Sequence, residues 1–198
     1  MNNTIDFNGT PLRLVPHEPD NGYRFYIADD GLIDGVMQGL RIAPNGVQTL
    51  VNASPKTTEN STDHYNAKRK QQYWHFANAF GYHKDILVHR AVYEAWSDTP
   101  IPPGHQIHHL TGITTDNRFD NLLCVSVEEH RKADARQKAL RTLAPNGDLR
   151  LVPLDLMREL QDPRVTSNAA FDMALHSVVP AEQGKILPNC SPEPLRDV

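Results

Sequence analysis

Residues 88–131 read VHRAVYEAWSDTPIPPGHQIHHLTGITTDNRFDNLLCVSVEEHR, and this stretch decides the fold. Within it, His108 and His109 follow a strand-like step, and neighbouring residues of a strand point to opposite faces. The two imidazoles therefore serve different purposes: at a strand end, one can face a metal ion while the other faces a substrate. A third histidine, His130, follows 21 residues after His109, and Asn121 lies between them.

The end of the same stretch predicts a helix. Ser126 followed three residues later by Glu129 is a capping box, which marks a helix N-terminus. The residues that follow are mostly strong helix formers. We therefore expect a helix over residues 127–140 with His130 in its first turn. Two strands carrying the histidine pair, packed on this helix, would form a compact metal-binding cup.

Such a cup meets the requirements of phosphodiester hydrolysis. A divalent ion stabilises negative charge on the phosphate and on the leaving oxygen. A neutral imidazole can activate water as a general base near pH 7. His108 and His130 can supply ligands to the ion, and His109 can be the base. Asn121 can brace the loop between the two strands, orient His109, or bind the metal directly.

Together with their flanks, these residues resemble the HNH nuclease motif of phage and intron-encoded homing endonucleases. The positions that carry the resemblance are Val88, His89, Arg90, Glu94, Ala95, Trp96, His108, His109, Gly112, Asp116, Asn117, Arg118, Asn121, Leu122 and His130. The resemblance covers residues 88–138 and implies a ββα-metal fold with the histidine pair on the first strand. It implies that His109 is the base and that His108 and His130 bind the metal. Asn121 corresponds to the middle Asn of the motif.

The resemblance also implies a divalent metal cofactor, either Mg²⁺ or Mn²⁺, with Ni²⁺, Co²⁺ or Zn²⁺ as alternatives. The homing subgroup often has Asp where this chain has His108, and imidazole favours softer ions than Mg²⁺. A structural zinc site that combines the histidines with Cys124 is another interpretation. The only other cysteine is Cys190, so the chain contains no CxxC pair.

DNA is the expected partner. The whole chain carries a net charge of −4, but Lys and Arg outnumber Asp and Glu by 11 to 8 between His64 and Arg141. This asymmetry is compatible with one segment that faces nucleic acid between acidic flanks, and equally with chance fluctuation. The residues expected to contact phosphates are Arg90, Arg118, Arg131, Lys132 and Arg136. Lys132 and Arg136 are four residues apart and are expected to share one helical face.

The remaining sequence predicts an α+β protein. Asn-Gly dipeptides between strand-like runs indicate a small antiparallel β module in the first 52 residues, and residues 53–66 have the composition of a linker or exposed loop. The expected divisions are an N-terminal β module and linker (1–66), a nuclease domain (67–140) and a loop-rich C-terminal extension (141–198). The extension is expected to hold a helix over residues 168–178 and to end in a Pro-rich, disordered tail.

No apolar run approaches the ~18 residues that a membrane-spanning helix needs, and no secretory signal is visible. We therefore expect no membrane partner and a cytoplasmic location, which the resemblance places in a bacterial or phage-infected cell. The main hypothesis is a metal-dependent DNA endonuclease that nicks or cuts both strands. The alternatives are a non-catalytic DNA-binding protein that retains the HNH scaffold, and a nuclease that cuts RNA or branched structures.

Overall fold

The computed structural model describes residues 3–16, 21–59, 70–81, 85–97 and 99–177. Over these residues it contains both an extended antiparallel sheet and α-helices, which agrees with the predicted α+β class. Cys190 and the Pro-rich end lie outside the described residues.

The N-terminal part is an antiparallel sheet, as predicted. Its strands are β1 (Thr4–Phe7), β2 (Thr10–Leu14), β3 (Arg24–Ile27), β4 (Leu32–Ile33), β5 (Val36–Ile42) and β6 (Gln48–Glu59). They pair in the order β1-β2-β3-β5-β6, and β4 pairs separately with β5. Asn8 and Gly9 connect β1 to β2 with φ values of 54° and 82°. Two positive φ values are what a tight type I′ hairpin requires, and Asn-Gly tolerates them best.

The extent of strand β6 shows that the first part of the expected linker is not a loop. Its first residues, 48–52, pair with β5, whereas residues 53–59 pair with β7 (Lys70–Phe76). Residues 53–59 are therefore strand and not an exposed loop, because β7 satisfies their backbone hydrogen bonds. The rest of the expected linker, residues 60–66, lies outside the described residues. Strand β8 (Ile86–Leu87) extends the sheet by pairing with the end of β7.

The stretch that begins at residue 88 folds into a helix followed by a strand pair and a second helix. Helix α1 (Val88–Trp96) precedes β9 (His105–His109), which pairs antiparallel with β10 (Leu122–Ser126). Helix α2 (Val127–Leu143) follows directly and extends three residues beyond the predicted end.

The predicted capping box is confirmed. Glu129 N donates to Ser126 Oγ at 3.2 Å, and Ser126 N donates to the Glu129 carboxylate at 2.8 Å. These reciprocal bonds set the first turn of α2 immediately after β10. His130, in that turn, is therefore fixed relative to the strand pair.

Two apolar clusters join these parts. In the first, Phe25 and Phe76 of the large sheet are buried together with Val92 of α1, Ile107 of β9 and Leu122 of β10. The large sheet and the histidine-bearing strand pair therefore share one core.

The second cluster anchors the C-terminal region, which contains α3 (Leu154–Gln161) and α4 (Asn168–Ser177). Met157 of α3 and Phe171 of α4 are buried with Leu110, which follows β9, and with Leu140 of α2. The predicted helix at residues 168–178 is thus present, and the region packs against the strand-helix unit. Among the described residues, none of the helices combines the length and apolar character that membrane crossing requires.

Arg136 joins α2 to this C-terminal region, and the expectation that it contacts DNA is wrong. Its side chain is buried at 5% exposure, and its guanidinium lies 5.2 Å above the Phe171 ring. It donates at 2.8–3.2 Å to the carbonyl oxygens of Leu160, Asp162 and Thr166 and to the side chain of Asn168. Lys132, by contrast, is exposed and pairs with Glu128 at 2.9 Å.

Replacing Arg136 with Met should therefore destabilise the protein. The variant takes away the donor to the carbonyl oxygens of Leu160 and Thr166, so we expect the free energy of unfolding in urea to fall by at least ~2 kcal/mol. Lys132→Met on the same helix is the matched control and should change it by less than ~0.5 kcal/mol. Equal free energies of unfolding for the two variants would show that Arg136 behaves as a surface cation.

Candidate metal centre

A cluster of three potential metal ligands lies where β9 meets the start of α2. His108 is at the end of β9, and His130 and Asp134 are four residues apart on one face of α2. The two carboxylate oxygens of Asp134 lie 3.2 Å from His108 Nδ1 and 3.1 Å from His130 Nδ1. The imidazole centroids are 5.1 Å apart, with the rings nearly perpendicular at 87°. One ligand atom from each residue lies within 4.8 Å of the other two.

The donor set fits a divalent ion. Two imidazole nitrogens and one carboxylate oxygen, with the remaining positions open, are the composition of many catalytic metal sites. Side-chain exposure rises from 3% at His108 through 24% at His130 to 55% at Asp134. One side of the cluster is thus buried in the fold while the other opens to solvent, where a substrate can approach.

Asp134 is the ligand candidate that sequence reasoning missed. Burial acts to raise the pKa of its carboxyl, but hydrogen bonds from His108 and His130 outweigh burial and hold that pKa below its usual range. The group is therefore ionised at neutral pH. Its position four residues after His130 on a predicted helix is a signal that could have identified it.

His109 faces away from this cluster, as the alternation of a strand predicts. It is 6% exposed, and its ring centroid lies 5.1 Å from that of His89 and 6.5 Å from that of Tyr73. Burial first, and then the neighbouring His108, lower the pKa of His109 to about 4. The imidazole is therefore neutral at pH 7. Its Nε2 is buried without a hydrogen-bond partner among the described residues.

His89 of α1 forms the wall behind His109. It is 6% exposed and lies against Tyr73 of β7, with the ring centroids 5.4 Å apart. Burial, followed by the nearby His109 and Arg90, lowers its pKa to about 3, so it too is neutral. Its Nδ1 is a second buried nitrogen without a partner in the described part of the chain.

A cavity of about 420 Å³ unites the two groups of residues. Its lining includes the cluster of His108, His130 and Asp134 as well as His109 and His89. The ligand candidates and His109 thus line one space, although His108 and His109 lie on opposite faces of β9.

Asn121 braces the loop between β9 and β10. The side chain is fully buried. Its Oδ1 accepts from Thr111 N at 3.0 Å, and its Nδ2 donates to Asp116 O at 2.8 Å. Of the three roles considered from the sequence, the geometry favours bracing, because both polar atoms are engaged by loop backbone.

The other residues that the sequence suggested for the site do not lie together. Arg90 lines the cavity, whereas Arg131 is exposed on α2. Arg118 forms two 3.0 Å hydrogen bonds to Asp116 within the loop that Asn121 braces. Cys124 is buried in the first apolar cluster, and it is absent from the one ligand group found among the described residues. The alternative zinc site with Cys124 is therefore wrong for this part of the chain.

Comparison with known proteins agrees with this geometry over part of the chain. A family model described as HNH endonuclease matches residues 87–132. The match contains α1, β9, β10 and the first turn of α2, and it covers about a quarter of the chain. It supports the HNH family and nuclease activity in general. Searches of curated proteins and of solved structures found no match.

Asn121→Asp separates bracing from metal ligation. A carboxylate cannot donate to Asp116 O and would be buried beside that carbonyl, so we expect the free energy of unfolding to fall by at least ~2 kcal/mol. Affinity for Mn²⁺, measured by calorimetry, should not increase. Thr115→Asp puts a carboxylate at an exposed position of the same loop and should leave stability within ~0.5 kcal/mol. Tighter Mn²⁺ binding in Asn121→Asp with unchanged stability would make Asn121 a ligand.

Proposed function

We propose that this protein is a metal-dependent endonuclease that hydrolyses phosphodiester bonds in DNA. One observation carries the proposal: three convergent ligands and a buried, neutral histidine line the same cavity. The HNH endonuclease match over residues 87–132 supports the same class of chemistry.

In this proposal His108, His130 and Asp134 hold the metal. When bound there, a divalent ion would stabilise negative charge on the phosphate and on the leaving oxygen. Two nitrogen donors and one oxygen donor favour Mn²⁺, Co²⁺, Ni²⁺ or Zn²⁺ over Mg²⁺, whose preference is for oxygen.

His109 is the proposed general base. A neutral imidazole can take the proton of an attacking water without first losing one of its own. His89 and Tyr73 pack around the ring and limit its rotation, and burial excludes bulk water that would compete for its free nitrogen. The backbone of the same residue is also held, because Gln137 Nε2 donates to His109 O at 2.6 Å.

The cations near the cavity would bind the nucleic-acid backbone. Arg90 lies in the cavity wall, and Arg131 and Lys132 lie exposed near the start of α2, one and two residues past His130. Arg136 leaves this set because it is buried in hydrogen bonds to the C-terminal region. Such contacts position a phosphate chain without reading its sequence.

The direct test is incubation of the purified protein with supercoiled plasmid. We expect conversion to nicked or linear DNA with Mn²⁺, Co²⁺ or Ni²⁺, slower conversion with Mg²⁺, and none with EDTA. His109→Ala should abolish conversion while leaving calorimetric Mn²⁺ binding close to that of the wild type, because it removes a proton acceptor and not a ligand. His105→Ala on the same strand is the matched control and should remain active.

Two results would overturn the assignment. Full plasmid cleavage by His109→Ala would remove His109 from the mechanism. Cleavage of a single-stranded RNA by the wild-type protein, with plasmid left intact under every metal, would replace DNA by RNA as the substrate.

Asp134 offers a test of the metal centre that needs no substrate. Asp134→Asn keeps the size of the side chain but removes the charge that opposes the cation, so we expect Mn²⁺ affinity to fall by more than about tenfold. Glu128→Gln, an exposed acid on the same helix, should bind as the wild type does. Equal Mn²⁺ affinity of Asp134→Asn and the wild-type protein would leave a two-histidine site without Asp134.

A further inference from the structure

His108 is held on its inner side by a residue that lies far along the chain. Gln161, the last residue of α3, places its Oε1 2.8 Å from His108 Nε2. Its side chain is fully buried, and it lies outside the stretch that matches the HNH model. The side of the imidazole opposite the ligand cluster is therefore in contact with the C-terminal region.

The surrounding hydrogen bonds fix which way the Gln161 amide points. Its Nε2 donates to Leu110 O at 2.9 Å. A carbonyl oxygen can only accept, so the NH₂ group must face Leu110 and the amide oxygen must face His108. Gln137 Nε2 approaches the same Oε1 at 3.4 Å while it also donates to the carbonyl oxygens of His109 and Leu110. The two protons of the Gln137 NH₂ group serve those carbonyl oxygens, so its 3.3 Å contact with His108 Nε2 is not a donation and His108 Nε2 is the donor to Oε1.

This orientation determines the tautomer of His108. An amide oxygen accepts only, so the nitrogen 2.8 Å away must carry a proton. The Nδ1 proton that donates to Asp134 is the one that an ion would replace, so with Nε2–H held by Gln161 the Nδ1 lone pair would be the one available to the ion. Nδ1 is the atom that lies 3.2 Å from the Asp134 carboxylate, on the side of the ligand cluster.

We propose that Gln161 is a positioning residue of the metal centre, which holds the His108 ring in place and keeps Nδ1 free for the ion. This inference rests on the proposed metal site and extends it to the C-terminal region. Outer hydrogen-bond partners of this kind orient a ligating imidazole and raise its basicity.

The fold holds Gln161 from both flanks. Arg136 of α2 donates at 3.2 Å to the carbonyl oxygens of Leu160 and Asp162, the residues on either side of it. Arg158, one turn earlier on α3, donates at 3.0 Å to Leu122 O, at the start of β10. The end of α3 is therefore tied both to the helix that carries His130 and to the strand pair that carries His108.

The test uses the full-length protein and the metal alone. Gln161→Met preserves the approximate volume but cannot accept from His108, and we expect Ni²⁺ and Zn²⁺ to bind 10–100-fold more weakly by calorimetry. Gln161→Glu still presents an acceptor to Nε2–H and should bind both ions within about threefold of wild type. Glu159→Gln, an exposed position on the same helix, is the matched control and should bind as the wild type does.

The imidazole nitrogens provide a readout that a purely structural role would not change. In the Zn²⁺-loaded wild-type protein, ¹⁵N shifts of His108 should show a protonated Nε2 and a ligating Nδ1, and Gln161→Glu should preserve this pattern. Wild-type affinity and shifts in Gln161→Met would overturn the positioning role. If Gln161→Met does not fold, the test rests on Gln161→Glu. A tenfold or greater loss of metal affinity in folded Gln161→Glu would also overturn the positioning role. If the wild-type protein binds no divalent ion, the proposed metal site itself is wrong. That outcome is distinct from a failure of the positioning role of Gln161.

Discussion

The imidazole of His108 is held from both sides, and this constraint links β9 to α2 and α3. On its outer side the Asp134 carboxylate of α2 lies 3.2 Å from Nδ1, and on its inner side the Gln161 amide of α3 lies 2.8 Å from Nε2. The strand that carries His108 must therefore keep a fixed distance from two helices. The capping-box hydrogen bonds at Ser126 and the hydrogen bonds of the buried Arg136 hold those helices in place.

The large N-terminal sheet contributes to the other face of the same strand. Tyr73 of β7 and His89 of α1 enclose His109, and the apolar core shared between the sheet and the strand pair keeps them there. Burial in this enclosure is the main cause that lowers the pKa of His109 to about 4, so the imidazole stays neutral well below pH 7. The sheet thus sets the electrostatic environment of the proposed base, while α2 and the C-terminal region set the geometry of the proposed ligands.

The features predicted correctly from the sequence are those that depend on residue alternation or on capping. The antiparallel strands of the first 52 residues, the helix after Ser126 and the opposed orientation of His108 and His109 follow from residue alternation and from capping within a few positions. The wrong expectations concern partners distant in sequence. Residues 53–59 form a strand only because β7 lies beside them, and Arg136 is buried only because the C-terminal region packs over its side of α2.

The residues that can carry out chemistry at the site are evident from the primary structure: the histidine pair, the third histidine on a capped helix, and the order in which they occur. Their arrangement in space depends on how the strands and helices pack. Asn121 became a brace and Asp134 joined the cluster because hydrogen-bond distances depend on the packing of β9, β10 and α2. Gln161, 53 positions after His108, reached the imidazole because α3 folds back onto the strand pair. A contact across that separation leaves no periodicity in one sequence, because it depends on how α3 packs and not on local spacing.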